Sequence, residues 1–233
     1  MVFTNALTID VEDYFHVAAF AANIRPDRWD LRESRVVRNT EKLLAIFDEF
    51  GVRGTFFVLG WVGDRYPELV RSIAESGHEV ACHGYSHRLV YEQSPREFYE
   101  ETLRAKNTLE DITGSCILGY WAASYSIVNS SLWALDILVE LGFTYDSSIF
   151  PVHHDRYGIP NAERMPHRLV TLSKRQIVEW PLSTAEAFGF RFPVAGGGYF
   201  RLLPYLIQLV LKADIRTKCR KSSPEKAHLV IEE

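Results

Sequence analysis

Hydrophobic and polar positions alternate between two rhythms along the first two thirds of the chain. Short apolar runs of strand length end in polar residues. Each is followed by a longer stretch whose apolar positions recur every three or four residues and which a glycine closes. Ala6-Leu-Thr-Ile-Asp10 predicts a buried strand ending in acids. Asn39 or Thr40 can cap a helix through Leu43, Leu44, Ile46, Phe47 and Phe50, stopped by Gly51. Val52 to Leu59 predicts a second strand, Pro67 to Ser76 a helix closed by Gly77, and Val80 to Cys82 a third strand. Ser94-Pro-Arg-Glu97 is a capping box with proline at the first helical position. It opens a helix to about Thr113, before Gly114. Ile117 to Trp121 and Phe143 to Asp146 predict two more strands, separated by a helix over Leu132 to Leu141 that Ser130 or Ser131 caps and Gly142 ends.

The glycines are unevenly spaced, so this is βα alternation and not a sequence repeat. Regular alternation predicts an α/β fold with a parallel sheet, open or closed into a barrel. From Ser147 to Ala195, prolines break the pattern into loops and short strands. Gly196-Gly-Gly198 marks a tight turn or close backbone approach. Beyond Leu211 the chain turns polar and basic, with Leu229-Val-Ile231 its one candidate core element. We therefore divide the chain into a domain over 1–211 and an atypical tail over 212–233.

Composition narrows the function classes. The chain has 233 residues, 47% of them hydrophobic, enough for one sizeable core. A net charge of −4 points to neither nucleic acid nor an anionic membrane. The basic residues Lys212, Arg216, Lys218, Arg220 and Lys221 fit a solvated tail. Three cysteines at unrelated spacings argue against a disulfide framework and for a reducing compartment, so a cytoplasmic location is expected. Cys82 ends an apolar run, as a buried structural thiol does. The N-terminus lacks the pattern of a signal peptide, and no run of apolar residues is long enough to span a membrane.

The candidate chemistry falls just after the predicted strands, the edge where parallel α/β folds place their sites. His83-Gly-Tyr-Ser-His87 puts two imidazoles four residues apart, a spacing that lets both rings face one ion. Asp10-Val-Glu-Asp13 crowds three carboxylates, which a cation would neutralise. Two histidines and one carboxylate with open positions form the pattern of a hydrolytic metal centre, in which a second carboxylate can stay free as general base.

These residues resemble a known family. Thr8-Ile-Asp-Val-Glu-Asp13, Thr55-Phe-Phe57, Ser76-Gly-His-Glu79, His83-Gly-Tyr-Ser-His87, Gly119-Tyr120, Ser124-Tyr-Ser-Ile127, Tyr145-Asp-Ser-Ser-Ile-Phe-Pro151 and Gly196-Gly-Gly-Tyr-Phe-Arg-Leu202 together resemble the polysaccharide deacetylases of the NodB-homology type, carbohydrate esterase family 4. They look closest to the branch found near exopolysaccharide and exosortase loci. The resemblance runs from about Ala6 to Tyr205. It implies a distorted (β/α) barrel and a hydrolase that removes acetyl from N-acetylated carbohydrate, using a divalent metal, foremost zinc. By the same resemblance Asp10 is the general base and His83 and His87 are metal ligands. Asp13 is the preferred metal carboxylate and Glu12 the alternative, because Val11 and Glu12 interrupt the family's adjacent aspartates. The backbone N–H near Ser124 matches the family's oxyanion contact. Tyr120, Trp121, Tyr125 and Tyr199 are candidate sugar-stacking residues.

Two departures from the family pattern stand out. Gly119-Tyr-Trp-Ala-Ala-Ser124 has Trp121 and Ala123 where the family has arginine and proline, and tryptophan supplies no charge. No Leu-x-x-His motif follows Leu211, so the barrel is expected to lack its last strand, and His228 precedes its apolar run, in the wrong order for a general acid. A catalytically inactive metal- or carbohydrate-binding homologue is therefore the second reading, and hydrolysis of another linear or cyclic amide a third.

Overall fold

The computed structural model describes residues 4–17, 20, 23–187, 189–196 and 228–232. Its centre is an eight-stranded sheet in the order β10-β1-β2-β3-β4-β5-β7-β6. The strands β1 (Thr4–Val11), β2 (Thr55–Val58), β3 (Glu79–Cys82), β4 (Gly119–Tyr120) and β5 (Tyr145–Asp146) run parallel, each beside the one before it. These are the five strands that the apolar runs predict. The proline-broken segment adds β6 (His167–Val170) and β7 (Gln176–Glu179), a hairpin whose second strand lies parallel to β5. It also adds a separate hairpin of β8 (Thr184–Ala187) and β9 (Phe190–Pro193).

The helices are α1 (Val36–Glu49), α2 (Gly60–Arg65), α3 (Pro67–Glu75), α4 (Pro95–Thr113) and α5 (Trp133–Glu140). The capping box forms at α4 as expected. Ser94 Oγ accepts from the Glu97 N–H, the Glu97 carboxylate accepts from the Ser94 N–H, and Gly114 closes the helix with φ 66°. Helix α1 departs from expectation. It begins at Val36, upstream of Asn39 and Thr40, and Arg35 at its N-cap supplies no side-chain cap. The cap arrives from elsewhere in the chain.

Strand alternation sorts side chains onto two faces. Ile9, Val11, Phe56, Val58, Val80, Cys82 and Tyr120 join the main core beneath the helices. The intervening Phe57, Ala81 and Trp121 pack on the opposite face with Phe150, Val152, Leu182 and Ala195. Asp10, Glu12 and His83 follow the parity of this second face, so the sheet delivers them above its apolar plug. Cys82 is buried on the helix face, and burial pushes its thiol up to about 12, which makes it an inert packing group.

At the far edge, β10 (His228–Glu232) pairs in parallel with β1, from Thr4 opposite His228 to Thr8 opposite Glu232. The expected absence of a last strand is thus corrected. The Leu229-Val-Ile231 run occupies the edge of β1, as its β-rich composition allows. The register sets His228 level with Thr4, six residues before Asp10, at the opposite end of β1 from the acids. The preceding tail residues, and Tyr199, lie outside the described residues.

Candidate metal centre

Glu12, His83 and His87 come together at the C-terminal ends of β1 and β3, with one ligand-type atom from each lying within 4.8 Å of the others. His87 Nε2 is 3.1 Å and His83 Nε2 4.0 Å from Glu12 Oε2. His83 is carried directly off β3, and its N–H bonds to the Val58 carbonyl. The chain then turns through Gly84 (φ 76°) and brings His87 back with φ 53°, a left-handed conformation that costs a non-glycine residue energy.

The polar atoms of this cluster have the state a cation requires. His83 Nδ1 lies 2.8 Å from the Trp121 carbonyl oxygen, which can only accept, so Nδ1 carries a proton and Nε2 is the ring nitrogen that faces Glu12. His83 Nε2, Glu12 Oε2 and His87 Nδ1 are buried and have no hydrogen-bond partner among the described residues. Burial holds His87 well below the usual imidazole range, reinforced by His83 and His16, so it is neutral at ordinary pH. Burial, then Asp10, then Asp13 push Glu12 well above the usual carboxylate range. A neutral His87, a buried His83 and a destabilised Glu12 carboxylate, with His83 Nε2 and Glu12 Oε2 unpartnered among the described residues, form a set that can take a divalent ion. Tetrahedral zinc bonds of 2.0–2.1 Å would set such atoms roughly 3.3 Å apart.

Asp13 is not part of this cluster. Its carboxylate accepts from Ser34 Oγ at 2.6 Å, from the Arg35 N–H at 2.9 and 3.1 Å, and from the Val36 N–H at 3.3 Å. It is the missing cap of α1, a buried anion held by the first N–H groups of a helix. The structure therefore groups Glu12, and not the preferred Asp13, with the two histidines. Asp10 and Glu12 project to one side of β1, whereas Asp13 lies beyond the strand and turns toward α1.

Asp10 stands on the same strand face as Glu12 and is exposed. The mass of protein around its carboxyl raises it above the usual range, and the His83 charge opposes that shift. The loop after β4 has an unusual backbone. Ser124 (φ 50°) and Tyr125 (φ 56°) are consecutive non-glycine residues in left-handed conformation. Tyr125 and Ser126 N–H groups bond to the Ala122 and Ala123 carbonyls. Among the described residues the Ser124 N–H donates to no backbone carbonyl.

Three of the aromatic candidates lie within described residues, and two of them are not sugar-facing. Tyr120 is 3% exposed and packs in the helix-side core against Phe98 and Phe143. Trp121 is 1% exposed and packs edge-on against Phe57 and His83, as the floor beneath the histidines. Both follow strand parity into closed layers. Tyr125 is partly buried against Trp121, Phe150 and Tyr157.

One residue escapes sequence reasoning. His16 is buried behind the cluster, its Nδ1 accepting the Asp13 N–H at 2.9 Å and its ring boxed by Phe15, Trp29 and Trp61. Burial, then the His83 charge, lowers it to about 3. Its position directly after Asp13-Tyr-Phe was the only signal available.

The family model described as polysaccharide deacetylase matches residues 29–145, half of the chain. The chain belongs to the polysaccharide deacetylase family. A second model, a domain of unknown function (DUF3473), matches residues 147–223. The chain is 29% identical over 114 residues to a peptidoglycan deacetylase of Helicobacter pylori, covering 49% of this chain and 37% of that protein. It is 30% identical over 99 residues to a chitooligosaccharide deacetylase of a Bradyrhizobium species, covering 42% and 43%. It thus spans less than half the length of these relatives. The polysaccharide deacetylase fold recurs in a putative polysaccharide deacetylase from Mycobacterium smegmatis, with TM-score 0.65, 24% identity, and coverage of 99% of this chain and 76% of that one. It recurs also in a carbohydrate esterase family 4 pseudoenzyme from Bacillus anthracis, with TM-score 0.52, 14% identity, and coverage of 98% and 54%. Among the described residues no helix is long and apolar enough to cross a membrane.

Proposed function

We propose that this deacetylase-family chain is a divalent-metal-dependent hydrolase that removes N-acetyl groups from a polysaccharide or oligosaccharide. The observation that carries this reading is the convergence of Glu12, His83 and His87, with Glu12 Oε2 and His83 Nε2 buried and unpartnered among the described residues. Glu12, His83 Nε2 and His87 would hold the ion, and the nitrogen-rich set favours zinc. When bound, such an ion lowers the pKa of water and polarises the scissile carbonyl.

The chain's own residues supply the rest. Asp10, exposed on the same strand face as Glu12, takes the proton from attacking water. Its raised pKa moves it toward the range where a general base works best near neutrality. The Ser124 N–H donates to the developing oxyanion, and its left-handed backbone fixes that direction before substrate arrives. The His83–Trp121 hydrogen bond holds the imidazole in its metal-binding tautomer.

A second reading, a homologue that binds metal and sugar without turnover, is favoured by one observation. Trp121 fills a buried site where the family resemblance expects an arginine beside the base, so no guanidinium orients Asp10. One experiment separates the two. The purified protein is stripped of metal, titrated with zinc and assayed for acetate release from N-acetylglucosamine oligomers. Stoichiometric zinc binding with acetate release, both lost in His83→Ala and His87→Ala, supports the hydrolase. Binding without release supports the second reading, and full-strength binding by the double variant defeats the metal centre itself.

A further inference from the structure

A cavity of about 200 Å³ adjoins the Ser124 loop, bounded by Ser124, Tyr91, Tyr157, His154 and Arg156. A second cavity, of about 180 Å³, reaches His16 and His87 and shares Leu89 and Arg156 with the first. Arg156 is therefore the common wall of a trough that runs from the candidate metal ligand His87 to the Ser124 backbone.

The trough is asymmetric in charge. Arg156 forms no ion pair with a carboxylate among the described residues, and its guanidinium donates to the Tyr91 hydroxyl oxygen. Arg88, the other arginine near the trough, is held by Glu97 at 3.1 Å and Glu101 at 3.8 Å. Glu92 lines the cavity beside His87 but not the one beside Ser124. Asp155 sits on His154 Nδ1 at 2.9 Å with its carboxylate mostly in solvent. The opposite wall is aromatic. The His154 and Tyr157 rings stack at 3.8 Å and 6°, and Tyr157 stacks in turn on buried Phe150.

We propose that this trough selects an acidic glycan, one whose sugar next to the acetylated residue carries a carboxylate that Arg156 receives. A guanidinium that meets no carboxylate among the described residues can give an incoming carboxylate two parallel hydrogen bonds, with Tyr91 beside it as a neutral partner. The cavity beside Ser124 is lined by Arg156 and, among the described residues, by no carboxylate, which suits a monoanionic carboxylate better than a dianionic phosphate monoester. This inference rests on the deacetylase reading for the identity of the reacting group, but the binding preference stands without turnover.

The test is calorimetric titration of the full-length, zinc-supplemented protein with two tetrasaccharides. One alternates glucuronate and N-acetylglucosamine, and the other is neutral tetra-N-acetylchitotetraose. The acidic one is expected to bind about tenfold more tightly or better, in line with a charge-assisted hydrogen bond, and added salt should erode the gap. Arg156→Gln should abolish the preference and Arg156→Lys should keep part of it, with unchanged circular dichroism because Arg156 is exposed. Equal or weaker binding of the acidic glycan, no saturable binding of either, or a preference that survives Arg156→Gln would overturn the proposal. Acetate is measured in parallel. Release from neither glycan, with the binding preference intact, defeats the hydrolase reading alone. Faster release from the neutral glycan defeats the acidic-glycan inference alone.

Discussion

His83 Nδ1 donates to the main-chain carbonyl of Trp121 across 2.8 Å. A metal-type imidazole is thus oriented by the backbone of the residue at which the chain departs from its family. Because the contact is to the main chain, it survives any side chain at position 121. The indole has a different task, filling the sheet's inner layer against Phe57 and Tyr125.

The two roles separate in a substitution. Trp121→Arg should cost about 3–5 kcal/mol, because it removes a fully buried aromatic and places a charge in its stead. Trp121→Phe should cost less. Zinc affinity per folded molecule should stay within a few fold in both, since the carbonyl remains. Urea unfolding and zinc titration measure the two quantities, and a large loss of zinc affinity in the well-folded Phe variant would show that the indole itself shapes the site. Combining Trp121→Arg with Ala123→Pro, tolerable after the extended Ala122, should raise acetate release per folded molecule if the missing guanidinium limits Asp10.

Glu12 and Asp13 should part company in the same way. Glu12→Gln is expected to weaken zinc binding by at least about tenfold with little change in stability. Asp13→Ala should leave zinc affinity nearly intact but cost about 1–2 kcal/mol, because it uncaps α1. Calorimetry and chemical denaturation read the two effects. A zinc defect confined to the Asp13 variant would return the ligand role to Asp13.

Zinc binding should also tighten with pH. Burial, Asp10 and Asp13 hold the Glu12 carboxyl well above its ordinary range, so the metal-free protein binds a proton there that a cation must displace. Calorimetric titrations in buffers of different ionisation enthalpy should reveal proton release on zinc binding, diminished in Glu12→Gln. Equal proton release by that variant would contradict the assignment.

The legible parts of this molecule were those written in local sequence. The parallel strands, the α4 capping box and the His83–His87 pair need only short-range patterns. What escaped depends on contacts distant in sequence. The cap of α1 comes from Asp13, 23 residues before Val36, and nothing near Asn39 betrays it. That same contact keeps Asp13 from the histidines, and Glu12 is the carboxylate that lies beside them. Trp121 and Tyr120 looked equally fit to stack on sugar, and only the parity of a two-residue strand, set by pairing with β3 and β5, closes both into cores. His16 became visible once Trp29 and Trp61 had folded around it.

A buried acid pair should give the fold a pH dependence of its own. Asp146 and Glu179 are direct neighbours across β5 and β7, and both are fully buried. Ser148 Oγ donates to Asp146 at 2.5 Å and accepts the Ala122 N–H at 2.8 Å, so the pair anchors the loop that leads to Ser124. Burial raises both carboxyls, Asp146 to about 6 and Glu179 well above its usual range, and protonated Glu179 hydrogen-bonds to Asp146. Since both folded values lie above the unfolded ones, the folded state binds more protons. The pair's contribution is full below the ordinary carboxylate range and is lost as pH rises through about 6 and beyond. Thermal stability of the metal-free protein should therefore decline from weakly acid to alkaline pH. Glu179→Gln keeps a neutral donor beside Asp146 and should flatten that decline, with slower amide exchange at Ala122 at alkaline pH than in the wild type. A slope unchanged by the substitution would rule out the shared proton as its source.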